Sequence, residues 1–294
     1  MSHCLMESEL VLNSDGSVYH LNLLPEDLAE TIILVGDPNR VRQVSKHFDR
    51  IDVEKTKREF VTHTGRIGSK RFSVVGTGIG AGNIDIAMSE LDALVNIDLK
   101  TRTIKEKHRS LRFVRLGTSG SLQENIPVDS FLISSFGIGL DGLMSYYQWQ
   151  NNADEKKLLS LCHEKFSAMP IVNAMYAAQA APNLLQLFEK NKLGFTGITL
   201  TCPGFYGAQN RQLRAPLSEH NLFSIAQRIR FENNVITNLE METSAIYGMA
   251  RLLGHEACSI SAIMANRYTQ TFSTQPDKTV EQLIQKALEI LIAN

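Results

Sequence analysis

The carboxylates of Glu240 and Glu242 flank Met241 directly ahead of an apolar run, Ala245 to Leu253, which Gly254 closes. That run reads as a buried helix with a glycine stop, and Thr243 and Ser244 stand where capping hydroxyls belong. Both acids then lie at the positive end of the helix dipole, near the interior. A carboxylate in such a place needs donors. Helix capping or pairing with arginine satisfies it, and so does a polyol such as ribose donating its hydroxyls.

Other stretches offer donors to an anion. Arg115-Leu-Gly117-Thr118-Ser119-Gly120 reads as a strand that ends in arginine and enters a glycine turn with two hydroxyls. A charge-assisted donor, free amides and side-chain donors then meet at one point, which fits inorganic phosphate or a phosphate ester. The alternative is a structural turn whose Arg115 pairs with a local acid. In Gly36-Asp37-Pro38-Asn39-Arg40, Asp37 can cap the next helix, Pro38 suits its first turn, and Gly36 leaves an amide open to an anion beside Arg40. The glycines of Gly76-Thr-Gly78-Ile-Gly80-Ala-Gly82-Asn83 miss the G-x-G-x-x-G dinucleotide spacing, whose third glycine falls on Ala81 or Asn83. They are expected to let the backbone pass close to a ligand or a neighbouring strand.

Positioning these groups falls to short apolar, β-branched runs that alternate with helical patterns. Strands are expected at Thr31 to Val35, Arg71 to Val75, Phe113 to Leu116, Ser130 to Ser134, Phe195 to Thr201 and Cys258 to Ala265. Helices are expected at Asn39 to His47, Gly82 to Val95, Asp154 to Phe166, Pro182 to Lys192 and Asp277 to Ile292. The alternation implies an α/β fold with a mostly parallel or mixed sheet covered on both faces. Nothing resembles an interdomain linker, so residues 1–294 are expected to form one domain. Lys100 to Arg112 is rich in basic side chains and reads as a solvated loop.

Composition narrows the classes. The chain has 294 residues, 43% hydrophobic and 21% charged, with a net charge of -1, which carries no nucleic-acid signature. Cys4, Cys162, Cys202 and Cys258 form no Cys-x-x-Cys pair, which suits a reducing, cytoplasmic setting and offers no zinc site. The opening Met-Ser-His-Cys-Leu-Met-Glu-Ser-Glu has no basic flank and no long apolar stretch, so neither a signal peptide nor a membrane span is expected.

Taken in order, Gly36-Asp-Pro-x-Arg40, Arg115-x-Gly-Thr-Ser-Gly120, Phe205-Tyr-x-x-Gln-x-Arg211, Asn238-x-Glu-Met-Glu242 and Asn266-Arg267 resemble the nucleoside phosphorylase superfamily, and within it the uridine phosphorylases. The resemblance runs from Val18-Tyr-His20 to the C-terminal helix. It implies a three-layer α/β fold around a mixed, twisted sheet, and reversible phosphorolysis of uridine to uracil and ribose 1-phosphate. Gly36, Arg40, Arg115 and Thr118 would hold phosphate, with Arg58 reaching in from a second subunit. Met241 and Glu242 would hold the ribose 2' and 3' hydroxyls, and His20 of the neighbour the 5' hydroxyl. Gln209 and Arg211 would recognise the uracil edge, Phe205 would lie against sugar or base, and Arg267 would close the base pocket. Arg115, Gln209 and Arg211 would carry the catalysis, with Glu240 structural.

No organic cofactor is implied, since phosphate is a co-substrate, and no metal is carried over because Asn83 replaces a serine that some relatives use for a monovalent cation. Gly207-Ala208 stands in place of a Pro-Gly pair before the glutamine. A homodimer or hexamer with shared sites is expected, because His20 and Arg58 have no local partner in the motif order, and Arg115 is expected to address the anion alone. A purine nucleoside phosphorylase or nucleosidase of the same fold is the first rival; those relatives place an acid where this chain has Asn266-Arg267. A non-catalytic nucleoside-binding protein is the second.

Overall fold

A computed structural model describes residues 4–218 and 221–294. Residues 1–3, part of the opening read as free of a leader, lie outside the described residues. The chain divides into two compact units, one running to Val114 and including Met249–Glu256, the other comprising Arg115–Gly248 and Ala257–Asn294.

In the first unit, β1 (Thr31–Val35) is buried at every position, as its unbroken apolar run requires. Asp37 accepts from the Asn39 amide at 2.8 Å and starts α1 (Pro38–Ser45), which buries Val41 and Val44. β2 (Arg50–Lys57), β3 (Phe60–Ile67) and β4 (Lys70–Gly76) follow as an antiparallel meander, and β4 returns parallel to β1 with Thr31 opposite Phe72. β2 and β3 carry no sequence-stretch expected to be a strand. β2 is an edge strand with many exposed charged side chains, so neither apolar run nor clean alternation marks it. Helix α2 (Ala81–Asn96) begins after Gly80, whose φ of 94° only glycine adopts readily, and buries Ile84, Ala87, Met88, Leu91 and Val95 on the expected face.

Most of the basic stretch, residues 100–112, is the exposed loop expected, apart from a short strand within it. Ile97–Asp98 (β5) and Thr103–Ile104 (β6) form a small hairpin. Lys105 Nζ donates to the Val95 carbonyl at 3.0 Å, and Asn96 Oδ1 accepts from the Arg109 amide at 2.7 Å.

β7 (Arg112–Ser121) carries the chain into the second unit. It runs straight through the stretch read as a glycine turn, and Asn238 and Leu239 pair with Ser121 and Gly120 across an antiparallel step. At the centre of this unit, β8 (Phe131–Gly139) is buried at every position. β9 (Tyr176–Gln179) lies antiparallel to β8, and β10 (Phe195–Thr201) parallel to it. β11 (Arg230–Phe231) pairs antiparallel with β12 (Asn234–Glu240), which runs parallel to β10 with Thr201 opposite Glu240. β13 (Glu256–Asn266) lies antiparallel to β8, and β14 (Thr271–Phe272) extends it. Each unit thus contains parallel and antiparallel pairs, the mixed α/β class expected.

Helices α3 (Ala153–Lys165), α4 (Pro182–Lys190) and α7 (Pro276–Ala293) fall where the periodicity placed them, while α5 (Leu222–Ala226) is short. Leu158, Cys162 and Phe166 pack with Phe136, Ile138, Ile198, Leu200 and Leu239 in one core cluster. Among the described residues no helix is long and apolar enough to cross a membrane.

Candidate active site

β10 and β12 end side by side, and α6 (Thr243–Leu252) starts just beyond β12. Glu240 caps that helix. Its carboxylate accepts from the amides of Glu242 and Thr243, both at 2.9 Å to Oε2, and from Thr201 Oγ1 at 2.8 Å. The expected capping by Thr243 and Ser244 is therefore corrected. A carboxylate from the preceding turn reaches the free amides first and complements the dipole. Thr243 Oγ1 turns instead to Ser259 Oγ at 2.8 Å, and Ser244 Oγ to Tyr176 Oη at 2.9 Å.

Arg115 is buried at 4% exposure beside both acids, its Nη2 2.5 Å from Glu242 Oε2 and 3.1 Å from Glu240 Oε2. Burial pulls its pKa down, but the two carboxylates more than offset that pull, so the guanidinium is held charged above its ordinary value. The expectation that Arg115 addresses only an anion is corrected: it is the shared cation of the carboxylate pair. Its guanidinium also fills the space over Gly117, where a Cβ would lie 2.0 Å from Nη1. Glycine at 117 thus makes room for the arginine rather than for a turn. Nearby, Ser119 Oγ accepts from Asn238 Nδ2 at 2.9 Å, and Thr118 is partly exposed on the same strand. Met241, partly exposed, follows Glu240, so the expected ribose residues Met241 and Glu242 stand with Arg115 at one helix start.

The expected base residues also converge within the second unit. The Phe205-to-Arg211 loop makes a short turn over Gly207–Gln209, and Gln209 is buried within it. Arg211 Nη1 donates to Gln209 Oε1 at 2.5 Å and to the Phe205 carbonyl at 2.8 Å, and its guanidinium lies 3.9 Å from the Phe205 ring centroid. Arg267 Nη1 donates to the Gln209 carbonyl at 3.3 Å while its guanidinium covers Phe223 at 4.4 Å. Burial and then the charge of Arg211 push the Arg267 pKa down to about 10, and burial lowers that of Arg211 as well. Two cations held in a partly dry place, each disfavoured, make a site that an incoming negative charge relieves. Asn266 is structural, its Nδ2 donating to the carbonyls of Gln123 and Ile126, both at 2.9 Å.

The remaining expected residues lie in the first unit. Gly36 sits against Gly78, whose carbonyl would be 3.5 Å from a Cβ at 36, and Arg40 occupies the first turn of α1. His20 and Arg58 find partners far from them in sequence. His20 Nδ1 lies 2.6 Å from Glu90 Oε1, and the same carboxylate accepts from the amides of His20 and Leu21. Arg58 Nη2 donates to Tyr19 Oη at 3.4 Å, and the His20 ring meets the Tyr19 ring edge-on at 4.9 Å. The fold brings together two residues far apart in sequence that the resemblance assigns to one neighbouring site. Glu90 is a missed member of this cluster: it lies on the polar face of α2, and no sequence spacing links it to His20.

Asp92, His108 and His255, also in the first unit, have side-chain atoms close enough to face one metal ion. The chemistry opposes it. The Leu111 amide donates to His255 Nδ1 at 3.1 Å, so the neutral ring carries its proton on Nε2, 3.2 Å from Asp92 Oδ1. No lone pair remains there for a cation.

The phosphorylase superfamily model matches residues 30–293. The chain is 28% identical to the uridine phosphorylase of Thermococcus kodakarensis over 292 residues, 97% of this chain and 91% of that one. It is 26% identical to the uridine phosphorylase of Haemophilus influenzae over 279 residues, 94% of this chain and 96% of that one. Among solved structures it resembles the Trypanosoma brucei nucleoside phosphorylase described as showing uridine phosphorylase activity, with a TM-score of 0.87, 26% identity, and coverage of 97% of this chain and 100% of that one. With its family match spanning nearly the whole chain and its arginine, carboxylate and amide groups gathered as described, this protein belongs to the phosphorylase superfamily.

Proposed function

We propose that the protein is a uridine phosphorylase, a pentosyltransferase that reversibly converts uridine and phosphate to uracil and ribose 1-phosphate. The observation that carries the reading is the cationic cluster of Arg211 and Arg267 around buried Gln209. Phosphorolysis needs no protein nucleophile, because phosphate attacks the anomeric carbon as the base departs. The protein must align the reactants and stabilise charge. Uracil leaves with negative charge, which Arg211 and Arg267 receive, while Gln209 reads its edge and Phe205 flanks it. Charge-assisted contacts of this kind contribute about 1.5 to 3 kcal/mol each, against a typical barrier reduction of roughly 8 kcal/mol or more.

In this reading Gly36, Arg40, Arg115 and Thr118 serve phosphate and Met241 and Glu242 serve the ribose diol. No organic cofactor or metal takes part. The free cysteines suit a cytoplasmic enzyme. Purified protein incubated with uridine should lose the nucleoside's ultraviolet signature only when phosphate is added. Loss without phosphate would make it a hydrolase, and no loss in either case a binder.

His20 and Arg58, gathered beside Tyr19, serve the active site of a second subunit in this reading, so the protein is a homodimer or hexamer with shared sites. Mixing inactive Arg58→Ala protein with inactive Arg211→Ala protein should restore activity through hybrid sites once subunits exchange. No recovery despite exchange, followed by mass labelling of the two variants, would refute sharing.

A further inference from the structure

A buried chain of hydrogen bonds leads away from the carboxylate pair to residues that the proposed reaction does not use. Thr201 Oγ1, which donates to Glu240, accepts from the Ser244 amide at 2.9 Å. Ser244 Oγ donates to Tyr176 Oη at 2.9 Å, and Tyr176 Oη lies 3.0 Å from both carboxylate oxygens of Asp141. The bonds run outward from Ser244 to two carboxylates: its amide reaches Glu240 through Thr201, and its hydroxyl reaches Asp141 through Tyr176, with Ser244 Oγ itself 3.4 Å from Asp141 Oδ2. The Leu143 amide anchors that carboxylate at 2.9 Å.

The packing leaves this arrangement little freedom. A Cβ at Gly139 would lie 2.2 Å from the Tyr176 ring and 2.8 Å from Ser244 Oγ. At Gly137 it would lie 2.7 Å from the Ser244 Cα. The first turn of α6 and the tyrosine ring therefore rest directly on the β8 backbone, and only glycine permits that approach. Tyr176 is 4% exposed, so these partners satisfy most of its hydroxyl's hydrogen bonding.

The geometry points to Asp141 and Tyr176 as positioning residues for the phosphorolysis. They pin the start of α6 through Ser244 and, through Thr201, hold the Glu240 carboxylate against Arg115. The inference rests on the reaction assigned above, but its test is separable from it. Loss of the tyrosine hydroxyl lets the helix start relax, so Glu240 holds Arg115 less firmly and the guanidinium samples arrangements that do not grip the anion. Neither residue touches a substrate, and Arg115 keeps Glu242 as its partner, so the effect falls on phosphate use more than on the nucleoside.

Tyr176→Phe removes the hydroxyl and keeps the ring; Asp141→Asn keeps the shape and provides a second variant should the first fail to fold, which thermal melts decide. Each is expected to raise the KM for phosphate and weaken calorimetric binding of inorganic phosphate about three- to tenfold, the scale of one neutral hydrogen bond. The KM for uridine at saturating phosphate should stay within about twofold. In a Thr201→Val background the further effect of Tyr176→Phe should largely vanish, because the connection is already cut. Wild-type turnover of uridine tests the assigned reaction; the ratio of variant to wild type in phosphate affinity tests positioning. Unchanged phosphate affinity, or effects of Tyr176→Phe and Thr201→Val that simply add, would overturn the inference.

Discussion

Replacing Arg115 by alanine is expected to lower the unfolding free energy by about 3 to 5 kcal/mol, because two buried carboxylates lose their common cation. Glu240 keeps donors in Thr201 and the helix amides, but its contact and that of Glu242 with the guanidinium, at 3.1 and 2.5 Å, disappear together. Activity should fall as well, and not through phosphate alone. Glu242 is the proposed ribose ligand, and without Arg115 its carboxylate loses the 2.5 Å contact that orients it, so nucleoside binding weakens too. Denaturant melts and separate determination of both KM values test this. A variant with wild-type stability, or one impaired only toward phosphate, would contradict the shared role of Arg115.

Arg211→Ala should lower kcat/KM for uridine by about 10² to 10³, the usual consequence of removing a donor that meets developing negative charge. Two effects combine. The charge that receives the departing uracil is lost, and Gln209 loses the partner that fixes its Oε1 at 2.5 Å. An unpinned amide presents donor or acceptor indifferently, so discrimination against cytidine should narrow as uridine turnover drops. Stability should change little, since Arg211 lies only partly buried over Phe205. Uridine turnover within about threefold of wild type would remove Arg211 from the base site.

Local signals were legible where one element satisfies itself. Thr31–Val35 is buried at every position and Phe195–Thr201 from Gly197 onward, and both are rich in apolar and β-branched residues, so pattern and strand coincide. Asp37 caps the next helix because its acceptor lies beside the amide it serves. The misreadings arose where partners are distant in sequence. Gly117 resembled a turn residue, yet β7 continues through it because Asn238 and Leu239 pair alongside and Arg115 needs the space. The helix cap went to Glu240 rather than to Thr243 because Thr201 and Arg115 hold that carboxylate in place. Glu90, Asp141 and Tyr176 gave no sequence signal, since each acquires meaning only from a hydrogen bond across many residues. The base cluster was legible as a motif, but its electrostatics were not: proximity of Arg211 and Arg267 is a property of the fold.

The central claim is that the cluster of Gln209, Arg211 and Arg267 selects uracil and stabilises it as it departs. Uracil presents carbonyl acceptors at O2 and O4 with a donor at N3, whereas cytosine reverses the pattern at positions 3 and 4 and leaves pocket groups unpaired. A site built on hydrogen bonds rejects such an analogue by up to about 10⁴. Purine leaving groups call for an acid to protonate them, which arginine does not supply. The direct measurement is kcat/KM for uridine, cytidine, inosine and adenosine with purified protein at one saturating phosphate concentration. Efficient phosphorolysis of uridine, weak or absent turnover of cytidine and none of the purine nucleosides is the predicted result; cleavage of inosine or adenosine as readily as uridine would contradict it.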